Sequence, residues 1–101
     1  MQNQTKAALV TGGSRGIGRT IALRLAKAGW HLLLADICPL EETKQVCTEI
    51  ENENGTADAF VLDVSNQENV SSFFQEQVKG KFYLEVLVNN AGITKDGFII
   101  R

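Results

Sequence analysis

Short apolar runs alternate along the chain with longer stretches in which apolar residues recur every three or four positions. The runs predict strands at about residues 7–11, 31–35, 58–62 and 84–88. The stretches between them predict helices at about residues 17–28, 40–54 and 65–79. The second run, residues 31–35, lacks the polar alternation of a half-exposed strand. It is therefore expected to be buried on both faces of a parallel sheet.

Each predicted helix carries one apolar face and is followed by a glycine that can end it, at Gly29, Gly55 and Gly80. The third helix is expected to begin with a capping box formed by Ser65 and Glu68. The residues expected to face the core are Ile17, Ile21, Leu25, Ala28, Leu40, Thr43, Val46, Cys47, Ile50, Val70, Phe73, Phe74 and Val78.

The alternation of strands and helices predicts an α/β fold, a doubly wound parallel sheet of about four strands with helices on both faces. The expected strand order is 3-2-1-4. In such sheets ligands bind at the carboxyl ends of the strands, where the order reverses between the first and fourth strands. A chain of 101 residues has room for one small domain at most.

The composition of the chain argues against several classes of binding partner. The net charge of −2 gives no reason to expect nucleic acid or an anionic membrane. The N-terminus has no apolar signal region and no run is long enough to cross a bilayer. Cys38 and Cys47 have no metal-binding or redox spacing, so they are expected to be reduced residues of a cytoplasmic protein. His31 is expected to be structural.

A glycine-rich loop directly follows the first predicted strand and precedes the first predicted helix. It reads Thr-Gly-Gly-Ser-Arg-Gly-Ile-Gly over residues 11–18. Gly12, Gly16 and Gly18 would allow a tight turn and close approach of a ligand backbone, because glycine has no Cβ. The N-terminus of the helix would offer free N–H groups and a positive dipole end to an anion. Ser14 is expected to shape the loop or to touch a ribose.

This loop and the run Asn89-Asn-Ala-Gly92 resemble the short-chain dehydrogenase/reductase family, whose pattern is Thr-Gly-x-x-x-Gly-x-Gly. The resemblance implies a Rossmann-type fold and a nicotinamide dinucleotide cofactor. It implies that the Ile17 N–H binds the pyrophosphate and that Asp63 and Val64 form an adenine pocket. It also implies that Asn90 ties the central strands together, while Ala91 and Gly92 lie beside the cofactor. An alternative for Asp63 is an acid near the following helix N-terminus.

Asp36 and Arg15 give opposing signals about the cofactor. An acid at the tip of the second strand accepts hydrogen bonds from the ribose hydroxyls of NAD and repels the 2′-phosphate of NADP. Asp36 therefore favours NAD(H), unless it only caps the next helix. Arg15 suits a phosphate, and family members that use NADP often carry an arginine there, so NADP(H) stays possible.

The resemblance runs from Lys6 to Arg101 but covers only the first part of the family fold. Family members continue into strands that carry a Ser and a Tyr-x-x-x-Lys pair, in which Tyr is the acid or base toward the carbonyl. Tyr83 is the single tyrosine, precedes the fourth predicted strand, and has Leu87 four residues on. We therefore expect residues 1–101 to be the N-terminal dinucleotide-binding part of one reductase domain, with no catalytic residue and no activity alone.

The end of the sequence carries a narrower resemblance. Asn-Ala-Gly-Ile-Thr-Lys-Asp over residues 90–96, then Phe98 to Arg101, is similar to the bacterial 3-oxoacyl-acyl-carrier-protein reductases of fatty acid synthesis. This implies an acyl-carrier-protein thioester as substrate and a homo-tetramer for the intact parent. Residues 98–101 are expected to begin a further helix. The alternatives are a short-chain dehydrogenase for a sugar, steroid or small alcohol, or a dinucleotide-binding module without catalysis.

Overall fold

A computed structural model of the chain describes residues 5–90 and the backbone of residues 99–100. Four strands alternate with three helices, in the predicted order, and a short fifth strand follows. The elements are β1 (Thr5–Thr11), α1 (Gly16–Lys27), β2 (His31–Asp36), α2 (Leu40–Asn52), β3 (Thr56–Val61), α3 (Gln67–Phe73, extended by a π-helical turn over Phe74–Val78), β4 (Phe82–Asn89) and β5 (Ile99–Ile100). Within the described residues, no helix is long and apolar enough to cross a membrane.

The sheet has the strand order β3-β2-β1-β4-β5. The first four of these strands are parallel, with Leu9 beside Leu33 in β2 and beside Leu87 in β4. This confirms the predicted order 3-2-1-4 and places the switch point between β1 and β4. The prediction that Tyr83 precedes the fourth strand is wrong, because β4 begins one residue earlier, at Phe82.

The fifth strand corrects the expectation that residues 98–101 begin a helix. Residues 99–100 pair antiparallel with β4, Ile100 beside Val88 and Ile99 beside Asn89. Two consecutive β-branched residues favour an extended backbone. The outer edge of β4 offers the N–H and C=O groups that such a segment needs.

Both faces of the central strands are buried, as the unbroken apolar runs predict. In β2, Leu32, Leu33 and Leu34 are each fully buried. Because side chains alternate along a strand, Leu32 and Leu34 pack under α1 and α2, whereas Leu33 packs under α3 on the opposite face. The sheet is therefore the middle layer of three, with helices packed on both of its faces.

The buried face of α1 lies one position further along than predicted. Ile17 is 59% exposed and Ala28 is exposed, whereas Gly18 and Ala22 are buried. Ile21 and Leu25 are partly buried at the side of this face. Two small residues four apart let the helix axis approach the sheet, and this close approach decides which face turns inward.

The predicted capping box at the start of the third helix is wrong. Asn66 is the N-cap, and its side chain accepts a hydrogen bond from the Asn69 N–H at 3.0 Å. Ser65 instead donates its hydroxyl and its N–H to Asp63 Oδ1. Both Ser and Asn are strong N-cap residues, so residue type alone does not distinguish Ser65 from Asn66. Tertiary contacts determine which of the two caps the helix.

The chain reversal after α2 is made by two residues rather than by Gly55 alone. Asn54 has the left-handed backbone conformation, with φ of 71°. The Gly55 N–H donates to the Ile50 carbonyl at 2.9 Å, and a Cβ on Gly55 would lie 2.7 Å from Ile50 Cγ2. Gly55 is therefore required for close packing against Ile50 and not for its backbone angles.

Ile50 should carry much of the stability of the α2 layer, because it is fully buried. Replacing Ile50→Ala removes buried methylene groups and leaves a cavity, at a cost of about 3 kcal/mol in the free energy of unfolding. The matched substitution Ile37→Ala, at a side chain 67% exposed, should cost less than about 0.5 kcal/mol. Urea denaturation of both variants measures the difference, and equal losses would contradict the described packing.

Candidate functional site

The carboxyl ends of β1, β2 and β3 are joined by backbone hydrogen bonds that continue past the strands. The Gly12 N–H donates to the Ala35 carbonyl at 2.7 Å, and the Leu62 N–H donates to the Asp36 carbonyl at 2.9 Å. These bonds hold the glycine loop over residues 12–15 beside the tip of β2. The glycine loop, Asp36 and the residues after β3 and β4 therefore share one rim of the sheet.

The glycine loop depends on glycine at particular positions for two physical reasons. Gly12 and Gly16 have φ of 66° and 60°, which side chains rarely adopt. Gly18 has an ordinary φ but no space, since a Cβ there would overlap the Gly12 carbonyl and lie 2.5 Å from Asn90 Nδ2. The loop is thus folded back against the first turn of α1.

Asp36 lies at the tip of β2 and is bonded to the glycine loop. Its Oδ2 accepts from the Ser14 N–H at 3.1 Å and from the Ser14 hydroxyl at 2.6 Å, while its Oδ1 accepts from the Ile37 N–H at 2.7 Å. Asp36 and Ser14 are only 9% and 8% exposed. The alternative that Asp36 caps the next helix is wrong, because Pro39 occupies the N-cap position of α2.

The carboxyl group of Asp36 is held in its charged form. Burial by itself raises the pKa of Asp36, but the hydrogen bonds from the Ser14 side chain and from nearby backbone N–H groups outweigh burial, and the net pKa lies below its ordinary value. The rim therefore carries a fixed negative charge beside the glycine loop at neutral pH.

Behind Ser14 lie two buried side chains that the sequence analysis did not assign to the site. The Cys38 thiol donates to the Ser14 hydroxyl at 3.3 Å and lies 3.7 Å from Thr43 Oγ1 on α2. Thr43 is fully buried. The sequence did hold one sign of this contact. Cys38 follows Asp36 by two residues, and in an extended backbone such residues point to the same side.

The end of β4 is tied to the end of β1. Asn90 Nδ2 donates to the Gly12 carbonyl at 3.0 Å, and the Thr11 hydroxyl donates to Asn89 Oδ1 at 3.1 Å. Asn90 thus joins the central strands, as the resemblance implied. Ala91 and Gly92, which were expected beside it, lie outside the described residues.

Asp63 follows β3 and faces the turn that leads into α3. Its Oδ1 accepts from the N–H of Ser65 at 3.0 Å and from its hydroxyl at 2.6 Å, and these bonds lower the pKa of Asp63. Its own N–H donates to Asn69 Oδ1 at 2.8 Å. Val64 is partly buried against the α3 face of the sheet. Asp63 therefore has a structural role in this turn, whatever else it contacts.

The first turn of α1 points at solvent from the same rim. Arg15 occupies the N-cap position, and both Arg15 and Ile17 are exposed. This turn, residues 16–19, contains no acidic side chain that would offset the positive end of the helix dipole. Together with the backbone N–H groups, it can receive an anion, while Asp36 can accept hydrogen bonds from hydroxyl groups.

Other polar groups lie away from this rim. His31, at the start of β2, bonds to Thr56 Oγ1 at 2.7 Å and to Asp58 Oδ2 at 3.0 Å, and its ring stacks on Phe82. Its satisfied contacts at the amino end of the sheet agree with the expected structural role. Among residues 5–90, no group of three His, Cys, Asp or Glu side chains could hold a metal ion.

A family model described as short chain dehydrogenase matches residues 6–101. The chain is 41% identical over 97 residues to the 3-oxoacyl-acyl-carrier-protein reductase FabG of Staphylococcus aureus, and 38% identical over 99 residues to the protein of that name from Aquifex aeolicus. These matches cover 96% and 97% of this chain. The chain spans 39% and 40% of the length of those two relatives.

Solved structures also match the chain. A metagenomic short-chain oxidoreductase in complex with NADP matches with a TM-score of 0.81 and 33% identity, over 89% of this chain and 40% of that one. A dehydrogenase/reductase from Sinorhizobium meliloti matches with a TM-score of 0.79 and 40% identity, over 91% and 36% of the two chains. Similarity in both fold and sequence thus covers about nine-tenths of this chain.

The lowered pKa of Asp36 predicts an acid-sensitive contribution to stability. An unfolded chain binds a proton at this carboxyl near its ordinary pKa of 3.8, above the pKa in the folded protein. The contribution is therefore complete above that value and is lost as pH falls through the lower folded pKa. The stability difference between the wild type and Asp36→Asn, measured by urea denaturation, should shrink from pH 7 to pH 3. A difference that grows on acidification would contradict the described hydrogen bonds.

Proposed function

The chain belongs to the short chain dehydrogenase family, and we propose that it forms the N-terminal dinucleotide-binding part of an NAD(P)-dependent reductase domain. The observation that carries this proposal is the junction of the glycine loop with the buried, charged Asp36 at one rim. A loop that exposes backbone N–H groups and a carboxylate that accepts from hydroxyls are the two features a dinucleotide requires.

Each part of the rim has a role in this proposal. The Ile17 N–H and the start of α1 would bind the pyrophosphate, and Gly18 would let the glycine loop pack against the first turn of α1. Asp36 would accept from the adenosine ribose, and Asp63 with Val64 would border the adenine. Asn90 would hold the strands around the cofactor, with Ala91 and Gly92 following it.

The bound cofactor would supply the hydride, whereas these residues bind and orient it. The residues present fit such a group, since the first turn of α1 carries no acidic side chain and the Asp36 carboxylate beside the glycine loop is a hydrogen-bond acceptor.

We propose NAD(H) as the favoured cofactor. The charged Asp36 would repel a 2′-phosphate, and Ser14 holds that carboxylate in place. The exposed Arg15 keeps NADP(H) as the alternative, because its guanidinium is free of the core and can approach a phosphate from the loop. The relative solved with NADP supports nicotinamide dinucleotides as the cofactor class.

For the intact parent we propose reduction of a 3-oxoacyl thioester carried on acyl-carrier protein. The names of the two curated relatives support this substrate class. The described residues contribute the cofactor site but not the proton donor to the carbonyl. Tyr83 lies in β4 and has Leu87 four residues on, so the Tyr-x-x-x-Lys pair of the family would come from outside these 101 residues.

We also propose a cytoplasmic, homo-oligomeric parent, with a tetramer as the expected form. Cys38 and Cys47 are both free and buried. Burial raises the pKa of the Cys47 thiol to about 11, which keeps it protonated and unreactive. Two unpaired cysteines are typical of proteins from a reducing compartment.

Replacing Asp36→Ala should shift the cofactor preference toward NADPH. Loss of the carboxylate removes the acceptor for the ribose hydroxyls and the repulsion against a 2′-phosphate, so the ratio of Kd for NADH to Kd for NADPH should rise at least about tenfold. Fluorescence titration with both dinucleotides measures this ratio in the full-length protein. Asp58→Ala, at an exposed aspartate beside His31, is the matched control and should leave the ratio unchanged. An unchanged ratio in Asp36→Ala would remove this role of Asp36.

The 101-residue chain should not catalyse carbonyl reduction. It supplies no tyrosine in the family pattern, so incubation with a 3-oxoacyl thioester and NADH or NADPH should give no oxidation of the dinucleotide. A longer protein that adds the Ser and Tyr-x-x-x-Lys segments should show it. Failure of that longer protein with every carbonyl tested, despite dinucleotide binding, would instead favour a non-catalytic module.

A further inference from the structure

The Asp36 carboxylate is already heavily occupied by protein donors. An ionised carboxylate offers about four lone-pair sites. Three hydrogen bonds reach it from the Ser14 N–H, the Ser14 hydroxyl and the Ile37 N–H, and the Cys38 N–H also stabilises its charged form. A ribose diol brings two further donors, so the carboxylate cannot accept both without giving up a bond.

Ser14 is the donor that can leave at the lowest cost. The N–H groups of Ser14 and Ile37 are backbone donors whose positions are fixed by the loop and by β2. The Ser14 hydroxyl is carried on a single rotatable χ1 bond with three staggered positions. Its other described partner is the Cys38 thiol at 3.3 Å, a weak donor.

The Ser14 hydroxyl also has the chemistry of the group it would make way for. It is an alcohol that donates to Asp36 Oδ2 at 2.6 Å, which is the bond a ribose hydroxyl would make. Asp36 and Ser14 are only 9% and 8% exposed, so little surface of either residue is open to a ribose while Ser14 keeps its present rotamer.

We propose that Ser14 determines cofactor affinity by competition: its hydroxyl occupies Asp36 Oδ2 and must rotate away before the adenosine ribose of NAD(H) can bind both carboxylate oxygens. This inference rests on the proposed function, since it requires a dinucleotide at the rim. It assigns Ser14 a role opposite to that of an ordinary binding residue, because removing its hydroxyl should strengthen binding.

The test compares Ser14→Ala with the wild type in the full-length protein. The substitution removes the hydroxyl but keeps the Ser14 N–H bond to Asp36, so the loop stays attached to β2. The Kd for NADH, measured by fluorescence titration, should fall about three- to tenfold, in line with the net effect of exchanging one hydrogen bond for another. Ser14→Gly removes the same hydroxyl and should act in the same direction.

Two controls isolate the competition. Thr48→Ala removes a hydroxyl on α2 that bonds only within its own helix, and should leave the Kd unchanged. In an Asp36→Ala background, Ser14→Ala should have no effect on NADH binding, because there is no carboxylate to compete for. The gain should also be absent for 2′,3′-dideoxy-AMP and present for AMP, since only AMP carries the diol.

The outcomes separate this inference from the proposed function. If the folded wild type binds NADH and both Ser14 variants bind it equally or more weakly, the competition is overturned while the function stands. A gain that persists in the Asp36→Ala background would also overturn it. If the folded wild type binds neither NADH nor NADPH, the proposed function fails and this inference fails with it.

Discussion

The contact on which the rim depends is the hydrogen-bonded attachment of Ser14 to Asp36. It joins the glycine loop after β1 to the tip of β2 through two hydrogen bonds to Asp36 Oδ2, from the Ser14 N–H at 3.1 Å and from the Ser14 hydroxyl at 2.6 Å. A buried carboxylate without partners would cost several kcal/mol, roughly, so each partner needs the other: the loop supplies the donors and the strand supplies the charge. The loop is thereby held in place from β2, while Asn90 holds its other side from β4.

The three-layer packing explains why this junction can be both polar and buried. Ala35 and Thr11, just inside the rim, are nearly inaccessible to solvent, because helices cover both faces of the sheet. Parallel strands bring all their carboxyl ends to one edge, and at that edge the helices begin with N–H groups that have no acceptor in the preceding turn of their own helix. The same topology that buries the apolar runs therefore assembles donors and acceptors at one place without any long-range signal in the sequence.

Sequence reasoning predicted most of this architecture. It failed where small side chains determine which helix face is buried, and where two neighbouring residues could both serve as a helix cap. Asp36 was found because a polar residue that ends an apolar run must lie at the strand tip. The inward face of α1 was placed wrongly because Gly18 and Ala22 are small, so they contribute little to the periodic pattern of apolar residues. Small residues nevertheless let the helix pack close to the sheet, which favours them on the buried face. Ser65 was chosen over Asn66 as a cap because both residue types serve. The bond between Ser14 and Asp36 has no sequence signal, since it depends on one rotamer and on how the loop folds back.

Affinity and discrimination at this rim would then have different physical origins. Exchange of the Ser14 hydroxyl for a ribose hydroxyl leaves the number of hydrogen bonds on Asp36 nearly constant, so its net effect is about 1 kcal/mol. Repulsion between the carboxylate and a 2′-phosphate is larger, about 4 kcal/mol for two unit charges 4 Å apart at an effective dielectric constant of about 20. Under the two proposals above, the charge on Asp36 would govern which dinucleotide is accepted, and the hydroxyl of Ser14 would govern how tightly the accepted one is held. Because the hydrogen bonds that lower the pKa of Asp36 include the one from Ser14, the two effects share one contact yet can be separated by changing the two residues independently.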